Sequence, residues 1–131
     1  MTGSNIDALK NAFSAADAGD AGPLVALYDD GLSWAGFTLE GTQTVYTKAS
    51  FLEAFGVLAK LDESSNEVLD AFETPEGIVT ATLRLYRRLG EKTLDVQGVF
   101  THRFVDGKVT HGSDTVPAEF EAFWAETGLA G

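Results

Sequence analysis

The sequence has no cysteine, which excludes disulfide frameworks, thiolate metal sites and cysteine nucleophiles and fits a reducing, cytoplasmic setting. Basic residues are scarce. Nine lysines and arginines face 20 aspartates and glutamates, and the formal charge of −11 repels phosphate backbones and anionic membrane surfaces. Neither nucleic acid nor a membrane is therefore an expected partner. No stretch reaches the roughly 18 uninterrupted apolar residues of a membrane span, and Met1 to Lys10 lacks the basic start and apolar run of an export signal. Also missing are a Gly-x-Ser-x-Gly elbow, a phosphate-binding loop and a dinucleotide fingerprint. Serine-nucleophile chemistry, nucleotide hydrolysis and hydride transfer thus lack their machinery, and no cofactor is expected. The two histidines, His102 and His111, have no acidic pair at ligand spacing, so no metal site is expected either.

What is present is enough apolar material for one core. The 131 residues are 44% hydrophobic and include nine phenylalanines, which fits a single domain over residues 1–131. Ile6, Leu9, Phe13 and Ala16 recur at helical spacing behind Ser4 and predict a first helix that ends near Gly19. Pro23, Leu24, Leu27 and Tyr28 predict a brief second helix that stops at Asp30 and Gly31. Leu32 to Phe37 and the weaker run Thr42 to Tyr46 read as strand or bent hairpin. Ser50 and Glu53 form a capping-box pattern ahead of a third helix carrying Phe51, Leu52, Phe55, Leu58 and Ala59, which ends in the polar cluster Asp62 to Asn66.

From Glu67 the period changes to two. Val68 to Phe72, Ile78 to Leu89, Leu94 to Val105 and Lys108 to Val116 read as strands, and Asp106-Gly107 is the sharpest hairpin signal. Pro117 permits a short last helix bearing Phe120, Phe123 and Trp124, closed by Gly128. Helices first and an antiparallel meander afterwards predict an α+β fold in which a strongly curved, mostly antiparallel sheet wraps around the N-terminal helices. The open end of such a cone is where a small-molecule pocket forms.

The segment Arg103-Phe104-Val105-Asp106-Gly107-Lys108-Val109, followed by Asp114, resembles the C-terminal hairpin of the SnoaL-like polyketide cyclases. Phe13-Ser14-Ala15-Ala16 to Gly19-Asp20 resembles their first helix and its exit. The same element order is shared by limonene-epoxide hydrolases and ketosteroid isomerases of the nuclear-transport-factor-like superfamily. The resemblance implies a cystatin-like α+β barrel, a small hydrophobic ligand or substrate, a homodimer, and Asp114 as the acid or base of a cyclase- or isomerase-type reaction. It does not carry over whole. Phe100 stands where the cyclases have a pocket histidine, and Ala35 and Phe100 stand where the isomerases have their acidic groups. Around Thr80 to Leu83 there is no second carboxylate of the kind the epoxide hydrolases need.

Read from the residues themselves, Leu94, Val96, Gly98, Phe100, His102 and Phe104 share one strand face, which points His102 inward. An inward imidazole either relays a proton or sits in the core with a backbone or hydroxyl partner. Asp114 is either desolvated inside the cone, where its pKa would rise, or a cap for the last helix at a solvated rim. Parity leaves this open, because Val109 and Asp114 fall on opposite faces of an unbulged strand. Trp34, Phe37 and Tyr46 flank the expected pocket mouth, as ligand-stacking rings or as core, and Phe55 and Phe100 join them as apolar ligand contacts. Arg84, Tyr86 and Arg88 fall with Thr80 and Thr82 on the outer face, opposite Val79, Ala81, Leu83 and Leu85.

Overall fold

The computed structural model describes residues 4–37 and 43–129. Its elements run α1 (Ser4–Asp17), α2 (Gly22–Leu27), β1 (Tyr28–Phe37), β2 (Gln43–Tyr46), α3 (Lys48–Gly56), a 3₁₀ turn (Val57–Lys60), β3 (Glu63–Glu73), β4 (Ile78–Leu89), β5 (Lys92–Val105), β6 (Lys108–Thr115) and α4 (Ala118–Thr127). This is the expected α+β order. The six strands form one sheet in the order β2-β1-β6-β5-β4-β3, antiparallel throughout except where β1 runs parallel to β6.

Three local readings shift. The third helix starts one turn before Ser50: Thr47 is its N-cap, and the Thr47 and Ser50 side chains accept reciprocally from each other's backbone N–H. The strand after the second helix begins at Tyr28, directly behind Leu27, so Asp30 and Gly31 lie within it. The polar cluster Asp62 to Asn66 is not only a helix exit, because β3 already begins at Glu63 and pairs with Arg88 of β4. Its polar composition hid the alternation.

The alternation elsewhere is as the sequence reads. On β4, Val79, Ala81, Leu83 and Leu85 are buried, and on β5 so are Leu94, His102 and Phe104. The Asp106-Gly107 hairpin has both residues at positive φ, 51° and 80°, which the turn requires and glycine supplies without strain. The helices cover the inner face, with Leu9, Ala12 and Phe13 of α1 in the same core as the inward residues of β4. Phe123 and Trp124 of α4 close over Leu94 of β5. Bulges interrupt the pairing at Leu69 on β3 and at Thr110 on β6, and such insertions bend and twist a sheet. Among the described residues no helix is long and apolar enough to cross a membrane.

Candidate functional site

The bulge on β6 decides where Asp114 points. Phe104 pairs with Val109 and Arg103 with His111, so Thr110 is the extra residue. One added residue reverses the parity of everything after it. Val109 and Asp114 therefore face the same, inner side, with Asp114 opposite Phe100 and Gly112 opposite His102. Two glycines make room there. A Cβ on Gly36 would stand 2.5 Å from Asp114 Oδ2, and one on Gly112 would collide with the Trp34 ring and lie 2.8 Å from the Thr101 carbonyl.

Into that space Trp34 Nε1–H donates a hydrogen bond of 2.6 Å to Asp114 Oδ2. Burial raises the Asp114 carboxyl above its usual range, and the Trp34 hydrogen bond pulls it partly back. The negative charge is felt nearby: burial first and Asp114 second push the phenols of Tyr28 and Tyr46 upward.

Asp114 borders a partly open cavity of about 100 Å³ between the sheet and helices α3 and α4. Phe51 and Phe55 of α3, Phe100 of β5 and Phe120 of α4 give it a mainly aromatic wall. Its polar groups come from Tyr46, Asn66, Arg87 and Asp114, and the Trp124 ring completes the enclosure.

No protein-family model matches the sequence, and no curated protein does. Solved structures do. Bal32a, from a soil-derived mobile gene cassette, superposes with a TM-score of 0.79 at 21% identity, covering 92% of this chain and 95% of its own. IdmH of Streptomyces antibioticus, provisionally assigned as a polyketide cyclase, gives 0.78 at 14% identity, over 95% of this chain and 99% of its own. An NTF2-like protein of Burkholderia thailandensis gives 0.74 at 14% identity, over 93% and 95%. The chain has the NTF2-like, or cystatin-like, fold. At these identities the likeness establishes architecture, and NTF2-like scaffolds carry many unrelated activities.

Within this NTF2-like frame, Asp114, Tyr46, Phe55 and Phe100 border one cavity. Trp34 and His102 do not. Both are fully buried behind the wall, with ring centroids 5.1 Å apart, so Trp34 reaches the cavity only through its hydrogen bond to Asp114. The side chain of Phe37 lies outside the described residues. His102 lies near the Val79 and Phe100 backbones, which favours its charged form, but neither ring nitrogen has an aligned hydrogen-bond partner. Burial outweighs those contacts and lowers its pKa to about 4, so the ring is neutral at pH 7.

The sequence reading passed over Arg87 and Asn66. Arg87 continues the inward series Val79, Ala81, Leu83, Leu85, and that alternation was the signal that could have found it. Its Nη1 donates to the carbonyls of Ser65 and Tyr86 at 2.7 and 2.9 Å, and its Nη2 to Asn66 Oδ1 at 2.7 Å. The Asn66 backbone N–H in turn donates to Asp17 at the end of α1, at 3.1 and 3.0 Å. Burial lowers the Arg87 pKa to about 10 while Asp17 works against the shift, so the guanidinium stays charged at pH 7. The outward neighbours behave as expected: Arg84 pairs with Asp95 through two hydrogen bonds, and Arg88 with Glu63.

Proposed function

We propose that this NTF2-like chain is a cofactor-independent acid/base enzyme of cyclase or isomerase type, acting on a small hydrophobic carbonyl compound in the cavity bordered by Asp114. The observation that carries this reading is a carboxylate with raised pKa, held by Trp34 on the wall of a mainly aromatic cavity. Such a group takes a proton from the carbon beside a carbonyl and returns it elsewhere on the same molecule. A well-placed carboxylate contributes roughly 10² to 10⁴ in rate. Tyr46, Phe55 and Phe100 give the ligand its apolar contacts. His102 serves as a positioning residue, packed against Trp34 and so acting on Asp114 at one remove.

A cavity of about 100 Å³ is smaller than the roughly 150 Å³ that encloses one benzene ring. A single-ring substrate therefore already reaches into the opening, and a polycyclic one extends further through it. The same reading takes the working form as a cytoplasmic homodimer joined through the outer sheet face.

A second reading is a carrier of a hydrophobic metabolite, favoured by one observation: Asp114 is the sole acidic residue bordering the cavity among the described residues. The two separate on a panel of cyclic ketones and epoxides incubated with wild type and Asp114→Asn, each compound being recovered and analysed by mass and chirality. The enzyme reading expects conversion by wild type and at least a 100-fold loss in the variant. Recovery of unaltered, bound compound from both proteins supports the carrier.

A further inference from the structure

Two residues that border this cavity each carry a buried N–H group with no hydrogen-bond partner. Arg87 is 4% exposed and its Nε is buried without a hydrogen-bond partner, although both terminal nitrogens are engaged. Trp124 is 1% exposed, and its Nε1 is likewise buried without a partner. Both residues border the same space as Asp114. Unsatisfied donors at this depth are uncommon in folded proteins, and two on one small cavity point to an acceptor that arrives from outside.

Charge says which acceptor. Among the described residues no carboxylate contacts the Arg87 guanidinium, since every oxygen it meets belongs to an amide. Asp17 acts on it through space without touching it, Asn66 standing between the two. A buried cation with neutral contacts is under-compensated, and a water molecule would accept from it without balancing the charge. An oxyanion does both.

We propose that the Arg87 and Trp124 side of the cavity is a subsite for an anionic oxygen, so that the ligand is an apolar ring compound bearing a carboxylate or an enolate. Arg87 Nε–H and Trp124 Nε1–H are its donors. This rests on the pocket reading above and deepens it. When Asp114 removes a proton beside a ketone, that proton goes to the Asp114 carboxylate, the C–H electron pair becomes the new C=C bond, and the C=O π pair moves onto the oxygen, which becomes the enolate oxygen. Fixed donors and a guanidinium stabilise charge that develops there more than they stabilise the neutral ketone. The rival explanation is that Arg87 only fastens β3 and β4 to the end of α1.

Benzoate and toluene separate the two, being matched in ring and differing in charge. Their affinities at pH 7 are measured by calorimetry, and the Trp124 indole N–H is followed by NMR. The subsite predicts that benzoate binds wild type at least 10-fold more tightly than toluene and moves the Trp124 N–H resonance. Arg87→Lys loses most of that preference, Trp124→Phe loses part of it with the ring kept, and Asp114→Asn keeps it. Should Arg87→Lys fail to fold, Trp124→Phe still decides. Equal binding of the two probes, or a preference untouched in Trp124→Phe and any folded Arg87→Lys, overturns the subsite and leaves Asp114 chemistry standing. Absence of binding by either probe overturns the pocket reading itself.

Discussion

At the scale of single residues, two buried ionisable groups pull stability in opposite directions as pH changes. Asp114 has a folded-state pKa above its ordinary 3.8, so the folded protein holds that proton more tightly than the unfolded chain. Its favourable contribution is complete below pH 3.8 and is lost as pH rises through the raised value. His102 falls from 6.5 to about 4, so its contribution is complete above pH 6.5 and is lost as pH drops towards 4. Asp114→Asn is therefore expected to melt at a higher temperature than wild type at pH 7, with the gap closing below pH 3.8. His102→Leu should remove a loss of stability on the order of a few kcal/mol between pH 6.5 and 4. Thermal denaturation across pH checks both, and differences from wild type that do not vary with pH would contradict them. A site that gains stability when its acid is removed is the usual sign that the acid is kept for chemistry.

At the scale of elements, the site depends on how β1 and β6 approach. Trp34 lies beside Gly112 in the parallel pair, and its indole occupies the space a side chain at Gly112 would need. Gly112→Ala would force the ring away from Asp114, with an expected cost of about 1–3 kcal/mol for overpacking. Denaturant titration gives that cost, and a carbon-13 titration of Asp114 should show its pKa rising as the Trp34 hydrogen bond is lost. An unshifted Asp114 pKa in a folded variant would show that Trp34 does not tune it.

These elements also mark what the sequence could and could not disclose. The Asp106-Gly107 turn, the inward row on β4 and β5 and the αL glycine that ends α4 at Gly128 all follow from local chemistry, and they stand where the sequence puts them. The orientation of Asp114 was not legible, because it turns on one unpaired residue, Thr110, whose side chain gives no bulge signal of its own. Arg87 was obscured by its neighbour: in Tyr86-Arg87-Arg88 two adjacent cations point to opposite faces, and only strict counting from Val79 separates them. Asn66 sits in a cluster whose polarity suggests a loop, yet Asn66 itself pairs inward with Arg87 and Asp17.

At the scale of the whole molecule, a single curved sheet presents an apolar inner face to its helices and a threonine-rich outer face to its surroundings. Phe72 and Val99 stand out on that outer face, Phe72 being 60% exposed, in the neighbouring rows Phe72-Thr80-Thr101 and Asp70-Thr82-Val99. Joining two such faces would bury these rings and isopropyl groups, which is the contact expected of the proposed homodimer. Phe72→Asp is expected to turn a dimer into a monomer in light scattering without loss of secondary structure; an unchanged mass would exclude this face.

The central claim is that Asp114 moves a proton to and from carbon inside the cavity. Its most direct test is deuterium incorporation beside the carbonyl of a small cyclic ketone in heavy water, followed by proton NMR with wild type and Asp114→Asn. The account predicts exchange accelerated by wild type and at least 100-fold slower with the variant. Equal exchange rates for the two proteins would contradict it.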